Sequence, residues 1–203
     1  MNETKNDMLE SILLDKVVKK SMFMLLFSLS VTIFLSLATF NPDDQGWGVV
    51  SVNESTNLFG ETGAWVSGLI IREFGFIPGL LLVFVLFIWS LKLFNRSTIN
   101  FIKLKILSLL LMIISGSLGD AYLEILISEF ISSKISTFFQ EGFSDWLFIF
   151  FTDNVSNLLG TDSLNSRHIL GIISLSISVA MFVWISSFSP AEINFFKFLL
   201  GPI

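Results

Sequence analysis

Four apolar segments leave this chain little choice of fold. They are SMFMLLFSLSVTIFLSLATF (21–40), FIPGLLLVFVLFIWSLKLF (76–94), the shorter KILSLLLMIISGSLG (105–119), whose span is read from 101, and HILGIISLSISVAMFVWISSF (168–188). A helix needs about 20 mainly apolar residues to cross a hydrocarbon core of roughly 30 Å. Inside that core each backbone N–H and C=O must find a partner within the segment, and an α-helix achieves this. The chain therefore reads as an all-α integral membrane protein, a four-transmembrane-helix bundle. Its composition agrees. Only 14% of the 203 residues are charged, against about 25% in a soluble domain. With no cysteine, disulfides and thiolate chemistry are excluded. A net charge of −5 offers no basic footprint for nucleic acid.

Orientation follows from lysine and arginine, which concentrate in cytoplasmic loops. Nine of the twelve fall in the tail 1–20, the connector around 95–100 or the segment 189–203: Lys5, Lys16, Lys19, Lys20, Lys92, Arg96, Lys103, Lys105 and Lys197. The loops 41–75 and 120–167 hold only Arg72, Lys134 and Arg167. Both termini are thus expected in the cytoplasm and both long loops outside. A cleaved signal peptide is the competing reading of the first span, because Ser36 to Ala38 (SLA) has small residues at a suitable spacing. The apolar run is longer than a secretory core and its leading tail is mixed in charge. The first span is read as an anchor.

Where span one meets water, TFNPDDQGWG (39–48) raises the possibility of a carboxylate site. Pro42 stops a helix, and Asn41 before it is pushed toward extended backbone. Asp43, Asp44 and Gly46 form turns, and Trp47 suits the headgroup zone. A hard cation needs more oxygen ligands than this stretch supplies. A helix collar accounts for every residue. Beyond it, Ala64 to Phe74 is predicted as a short surface helix, with Trp65 and Leu69 toward the membrane and Glu61 and Arg72 toward water. Gly75, Pro78 and Gly79 break it from span two; a re-entrant hairpin is the alternative. In the second outer loop, Asp120, Glu124, Ser128, Ser132, Ser136 and Gln140 draw a polar stripe along a helix. A further helix is expected from Ser144 to Leu159, before Gly160.

The hydrocarbon-depth parts of all four spans contain no Asp, Glu, Lys, Arg or His. Such groups mark ion paths and relays, so an ion-coupled transporter and an aspartyl or metal intramembrane protease are both disfavoured. Asp120 and His168, the only histidine, stand at span ends. Ser28, Thr32 and Ser36 in span one, Ser115 and Gly119 in span three, and Ser174 and Ser178 in span four recur at four-residue spacing. Small residues so placed let helices approach closely, within one bundle or between copies. No base is available to activate a serine. No phosphate-loop or dinucleotide motif occurs. The chain is expected to have no catalytic residues, cofactor or metal.

The order of features resembles the N-terminal four-span membrane domain of the bacterial FtsK/SpoIIIE-type DNA translocases. In that family span one ends in an aromatic-Asn/Ser-Pro-x-Asp-x-x-Trp stretch, matched by Phe40, Asn41, Pro42, Asp44 and Trp47. An Asn-Leu-x-Gly-x-x-Gly-Ala block follows, matched by Asn57, Leu58, Gly60, Gly63 and Ala64. The resemblance implies an anchor in the bacterial inner membrane, enriched at the division septum, that tethers and helps assemble a hexameric ATP-driven DNA pump for chromosome segregation. Its partners would be the lipid bilayer, further copies of itself and septum proteins, without direct contact to nucleic acid. The family's ATP- and DNA-binding residues have no counterparts in this sequence. The loop 120–167 is longer and more acidic than the family pattern. Two rival readings stay open: a small non-catalytic subunit of a transporter or secretion complex, and a lipid-acting enzyme using acids such as Asp43 or Asp120.

Overall fold

A computed structural model describes residues 2–52, 54–95, 99, 101–130, 143–160 and 163–187; for 2–12, 127–130, 159 and 163 it describes the helix path alone. These residues contain six helices: α1 (Asn2–Ala38), α2 (Gly60–Phe74), α3 (Phe76–Phe94), α4 (Ile102–Phe130), α5 (Phe143–Leu159) and α6 (Ser163–Ser186). Among the described residues there is no strand, only a bridge between Gly46 and Val49. Four helices contain stretches long and apolar enough to cross a membrane: Leu13–Ala38, Phe76–Phe94, Ile102–Leu126 and Leu164–Ser186. The chain is an all-α multi-pass membrane protein, with α2 and α5 in its two long loops.

The helix ends differ from the apolar segments in instructive ways. α1 begins near the chain start, because residues 2–38 contain no Gly or Pro to interrupt it. One ion pair, Asp15 to Lys19 at 2.8 Å, spans one turn of it. α4 runs on through Asp120 to Phe130 in one piece. Gly119 does not break it, since a Cβ there would crowd the Leu175 side chain of α6; the glycine serves helix contact. The polar stripe predicted from Asp120 is thus the far end of α4, with Asp120 buried and Glu124 half-buried. Ser132, Ser136 and Gln140 of that stripe lie outside the described residues, as does all of 189–203 with its neighbour Phe188. α6 starts five residues before His168.

α4 packs most extensively on α6, and α1 on α3. The α4–α6 contact is a seam of small residues. A Cβ on Gly116 would lie 2.9 Å from Oγ of Ser178, and one on Gly171 would overlap the Tyr122 ring. Ser178 donates to the carbonyl of Met112 at 3.1 Å, a bond between helices. Ser115 and Ser174 are buried nearby, Ser115 donating to the carbonyl of Leu111 in its own helix. In a membrane, where lipid tails are as apolar as leucine, packing and interhelical hydrogen bonds hold helices together. Ser36 is buried too, whereas Ser28 and Thr32 are exposed on α1. Apolar clusters fill the bundle on either side, Ile33, Leu37, Ile71 and Val83 in one, and Val85, Trp89, Met112 and Ile185 in another.

Candidate functional site

Residues 39–52 and 54–75 form a collar over one end of the bundle, and its centre is a single carboxylate. Asp44 is buried. Its oxygens accept the backbone N–H of Thr56 at 3.0 Å, the Thr56 and Ser55 hydroxyls at 3.0 Å, the backbone N–H of Asn57 at 3.0 Å and the Asn41 amide at 3.2 Å. Burial pushes the Asp44 carboxyl up, but the bonds from Thr56, Ser55 and Asn57 outweigh it and hold the group below the ordinary aspartate value. With its lone pairs so used, the carboxylate acts as a staple between residues 41–44 and 55–57. Asp43 is exposed, and its backbone N–H donates to Oδ1 of Asn41, closing an Asx turn.

The staple places Asn57 under the C-terminus of α1. Its amide donates to the carbonyls of Ser36 (2.9 Å) and Thr39 (3.1 Å), and Leu58 N–H donates to the Thr39 hydroxyl at 3.1 Å. The last carbonyls of a helix have no partner in their own ladder. A residue 18 or 21 positions away supplies donors here. The oxygen of the same Asn57 amide fits against Gly63, where a Cβ would overlap it.

Trp47 ties the same loop to α2. Its indole N–H donates to Glu73 at 2.6 Å, its ring meets Trp65 edge-on at 5.1 Å, and it lies over Gly68. Gly46 sits against the Ala64 carbonyl, which a Cβ would approach to 2.9 Å. Arg72 donates to the Pro42 carbonyl at 3.1 Å and is half-buried, not simply turned to water as the sequence suggests. Burial lowers the Arg72 guanidinium from its usual value. Phe40 packs on the cluster around Ile33 and Leu37, Ala64 is buried, Leu58 presents its side chain outward, and Gly60 opens α2 with φ +60. The two motif blocks, separate in sequence, are thus one interlocked structure.

At the far side of α2 the chain turns within one residue. Gly75 has φ +97, a conformation open to glycine. Its missing Cβ also leaves room for Asp120 of α4. The Asp120 carboxylate accepts the N–H groups of Phe76 (2.9 Å) and Ile77 (3.1 Å), the first two of α3. A helix from elsewhere thereby supplies the N-cap, at a terminus where negative charge is favoured. Pro78 in the same first turn has no N–H needing a partner.

The opposite end of the bundle is closed by cations. Nζ of Lys92, buried at the end of α3, donates to the Ser186 and Ser187 carbonyls at the C-terminus of α6, and Lys105 of α4 donates to the Ser187 hydroxyl at 2.8 Å. Positive charge suits a helix C-terminus. His168 and Tyr122 share a hydrogen bond of 3.0 Å. No short-range pattern points to Ser55, Thr56, Glu73 or the reach of Asp120, since each partner lies 11 to 44 residues away. The one available signal is an aspartate at a span end with no basic neighbour.

The family model of the 4TM region of DNA translocase FtsK/SpoIIIE matches residues 15–131, from the basic turn of α1 to the end of α4, including the whole collar. The chain belongs to this family. It carries the FtsK/SpoIIIE membrane region, which is distinct from the ATPase motor of those translocases. Searches of curated proteins and of solved structures found no match. Within the FtsK/SpoIIIE 4TM fold, the collar joins α1, α2, α3 and α4, while α5 and α6 lie beyond the matched residues.

Proposed function

We propose that this membrane domain anchors an FtsK/SpoIIIE-type DNA translocase at the division septum and helps assemble it there for chromosome segregation. The observation that carries the reading is the family match over a collar made of hydrogen bonds between distant segments. A pump that pulls DNA pulls equally on its mount, so the mount must keep its helices together under load. Cross-helix caps resist such a load, because Asn57 holds the end of α1, Asp120 the start of α3, and Lys92 the end of α6. The role is mechanical and needs no catalytic residue or cofactor in this domain.

In this reading the protein lies in the bacterial inner membrane with both termini cytoplasmic. The basic end carrying Lys92 and Lys105 faces the cell interior and the collar faces outward, as the charge bias of loops requires. Copies associate, six by family resemblance, and Ser28 and Thr32 offer an exposed small-residue face on α1 for that contact. Septum proteins meet the collar side, and DNA is left to the motor.

The test is a fluorescent fusion in dividing cells combined with cysteine labelling. Collection at mid-cell, with a cysteine at Asn95 reachable only from the cytoplasm and one at Asp43 only from outside, supports the anchor. Even spread around the envelope, or inverted labelling, removes it.

A further inference from the structure

The basic turn of α1 and the end of α3 enclose a cavity of about 400 Å³ that the anchoring role leaves unused. Asp15, Lys16, Lys19, Lys20 and Phe23 of α1 line it on one side, and Leu93 and Phe94 of α3 on the other. Lys16, Lys20 and Phe23 recur at four- and three-residue steps and so share a helix face. Lys19 is held by Asp15 at 2.8 Å. The Phe23 and Phe94 rings lie 5.0 Å apart and close the apolar wall. The cavity therefore has a cationic rim and a greasy floor.

Its depth fits a lipid. From Lys20 to Ala38 is 18 residues, about 27 Å of helix, close to one hydrocarbon thickness of roughly 30 Å. With the collar at one boundary, Lys20 sits at the other. Phe76 to Phe94 in α3 spans the same length and brings Phe94 to the same level. The exposed flank of α1 above and below is apolar, with Leu13, Val17, Leu25 and Phe27 open to the surroundings. Lysines at this level keep their stems along apolar surface and their ammonium groups at the headgroups. Basic pockets between membrane helices suit anionic headgroups.

We propose that this cavity binds the phosphate headgroup of an anionic phospholipid, with Lys16 and Lys20 on the phosphate and the acyl chain running down along Phe23 and Phe94. A phosphate of DNA would find the same cations, but it has no use for the phenyl wall or for a site at the hydrocarbon edge. The apolar floor decides for lipid.

The test uses the full chain, purified in neutral detergent, with native mass spectrometry reading retained phosphatidylglycerol against phosphatidylcholine. The anionic lipid should be retained selectively, and Lys16→Gln with Lys20→Gln should weaken retention roughly ten- to thirty-fold, from about 1 kcal/mol per lysine near a charged headgroup. Thermal melting of the double variant within a few degrees of the parent shows that it is folded. Should it unfold, the charge-preserving pair Lys16→Arg and Lys20→Arg must keep the selectivity. Soluble glycerol phosphate at millimolar concentration should fail to displace the lipid; complete displacement would assign the site to a free anion. Equal retention of the two lipids, or binding of duplex DNA that the same double substitution abolishes, would overturn the proposal.

Discussion

Oδ1 of Asn57 occupies the volume that a Cβ on Gly63 would need. The same amide, through its nitrogen, holds the carbonyls at the end of α1. Gly63→Ala should therefore act at a distance. Alanine gains about 1 kcal/mol of helix propensity, but overpacking at a fixed contact costs about 1–3 kcal/mol. The variant is expected to melt several degrees lower. In a double-mutant cycle, Asn57→Ala combined with Gly63→Ala should cost less than the two single changes added, because the clash and its cause disappear together. Strict additivity would show that the two residues do not share a contact.

Asp120 caps α3 from α4 with two accepted hydrogen bonds. Asp120→Leu removes both acceptors and leaves two N–H groups without partners, at about 1–3 kcal/mol each. Its side chain would also meet Gly75. The folded fraction recovered in detergent should drop sharply. Asp120→Asn keeps one acceptor oxygen and should lie between leucine and the parent. Equal recovery of all three proteins would remove Asp120 as the cap of α3.

The collar should loosen in acid. The folded Asp44 carboxyl lies below its ordinary value, so its ionised bonds contribute stability in full above about pH 4, the usual aspartate region. That contribution is lost as pH falls through the lower folded value. Trp47, bonded to Glu73 in the same collar, reports the change. Its fluorescence should stay level from neutral pH to about pH 4 and shift below it. Asp44→Asn should flatten this acid step; an unchanged step in the variant would assign it to another group.

Three lysines near the basic end of the bundle differ in access. Lys92 and Lys105 are buried and donate to the α6 terminus, whereas Lys103 is exposed. An amine-reactive label on the folded protein should modify Lys103 first, with Lys92 and Lys105 protected at least roughly ten-fold until unfolding, in line with stable local structure. Lys92→Met leaves the Ser186 and Ser187 carbonyls short of a donor and should lower the melting temperature by several degrees, an effect of about 1–3 kcal/mol. Even labelling of all three would contradict the cap.

Legibility in the sequence varies by element. The spans can be read because a bilayer imposes length and apolarity on consecutive residues, and the break at Gly75 because glycine and proline act locally. The α2 helix and the α5 interval from Ser144 to Leu159 follow from the same local rules, and α5 is observed at Phe143–Leu159. In the sequence, Asp120 heads a polar stripe and suggests the start of a surface helix. Its burial inside a continuous α4 depends on Gly75, 45 residues earlier, making room for it. The two motif blocks are visible as blocks, while their joining through Asp44 and Thr56 is not.

By itself, then, the sequence determined a helical protein that crosses a membrane four times and belongs with the FtsK/SpoIIIE 4TM regions, because period, length and motif order are properties of neighbouring residues. Tertiary structure alone decided which polar side chains finish which helices. Asn57 on α1, Asp120 on α3 and Lys92 on α6 are choices made by proximity in space. A helix end needs a donor or an acceptor, and no local pattern records from how far along the chain it comes.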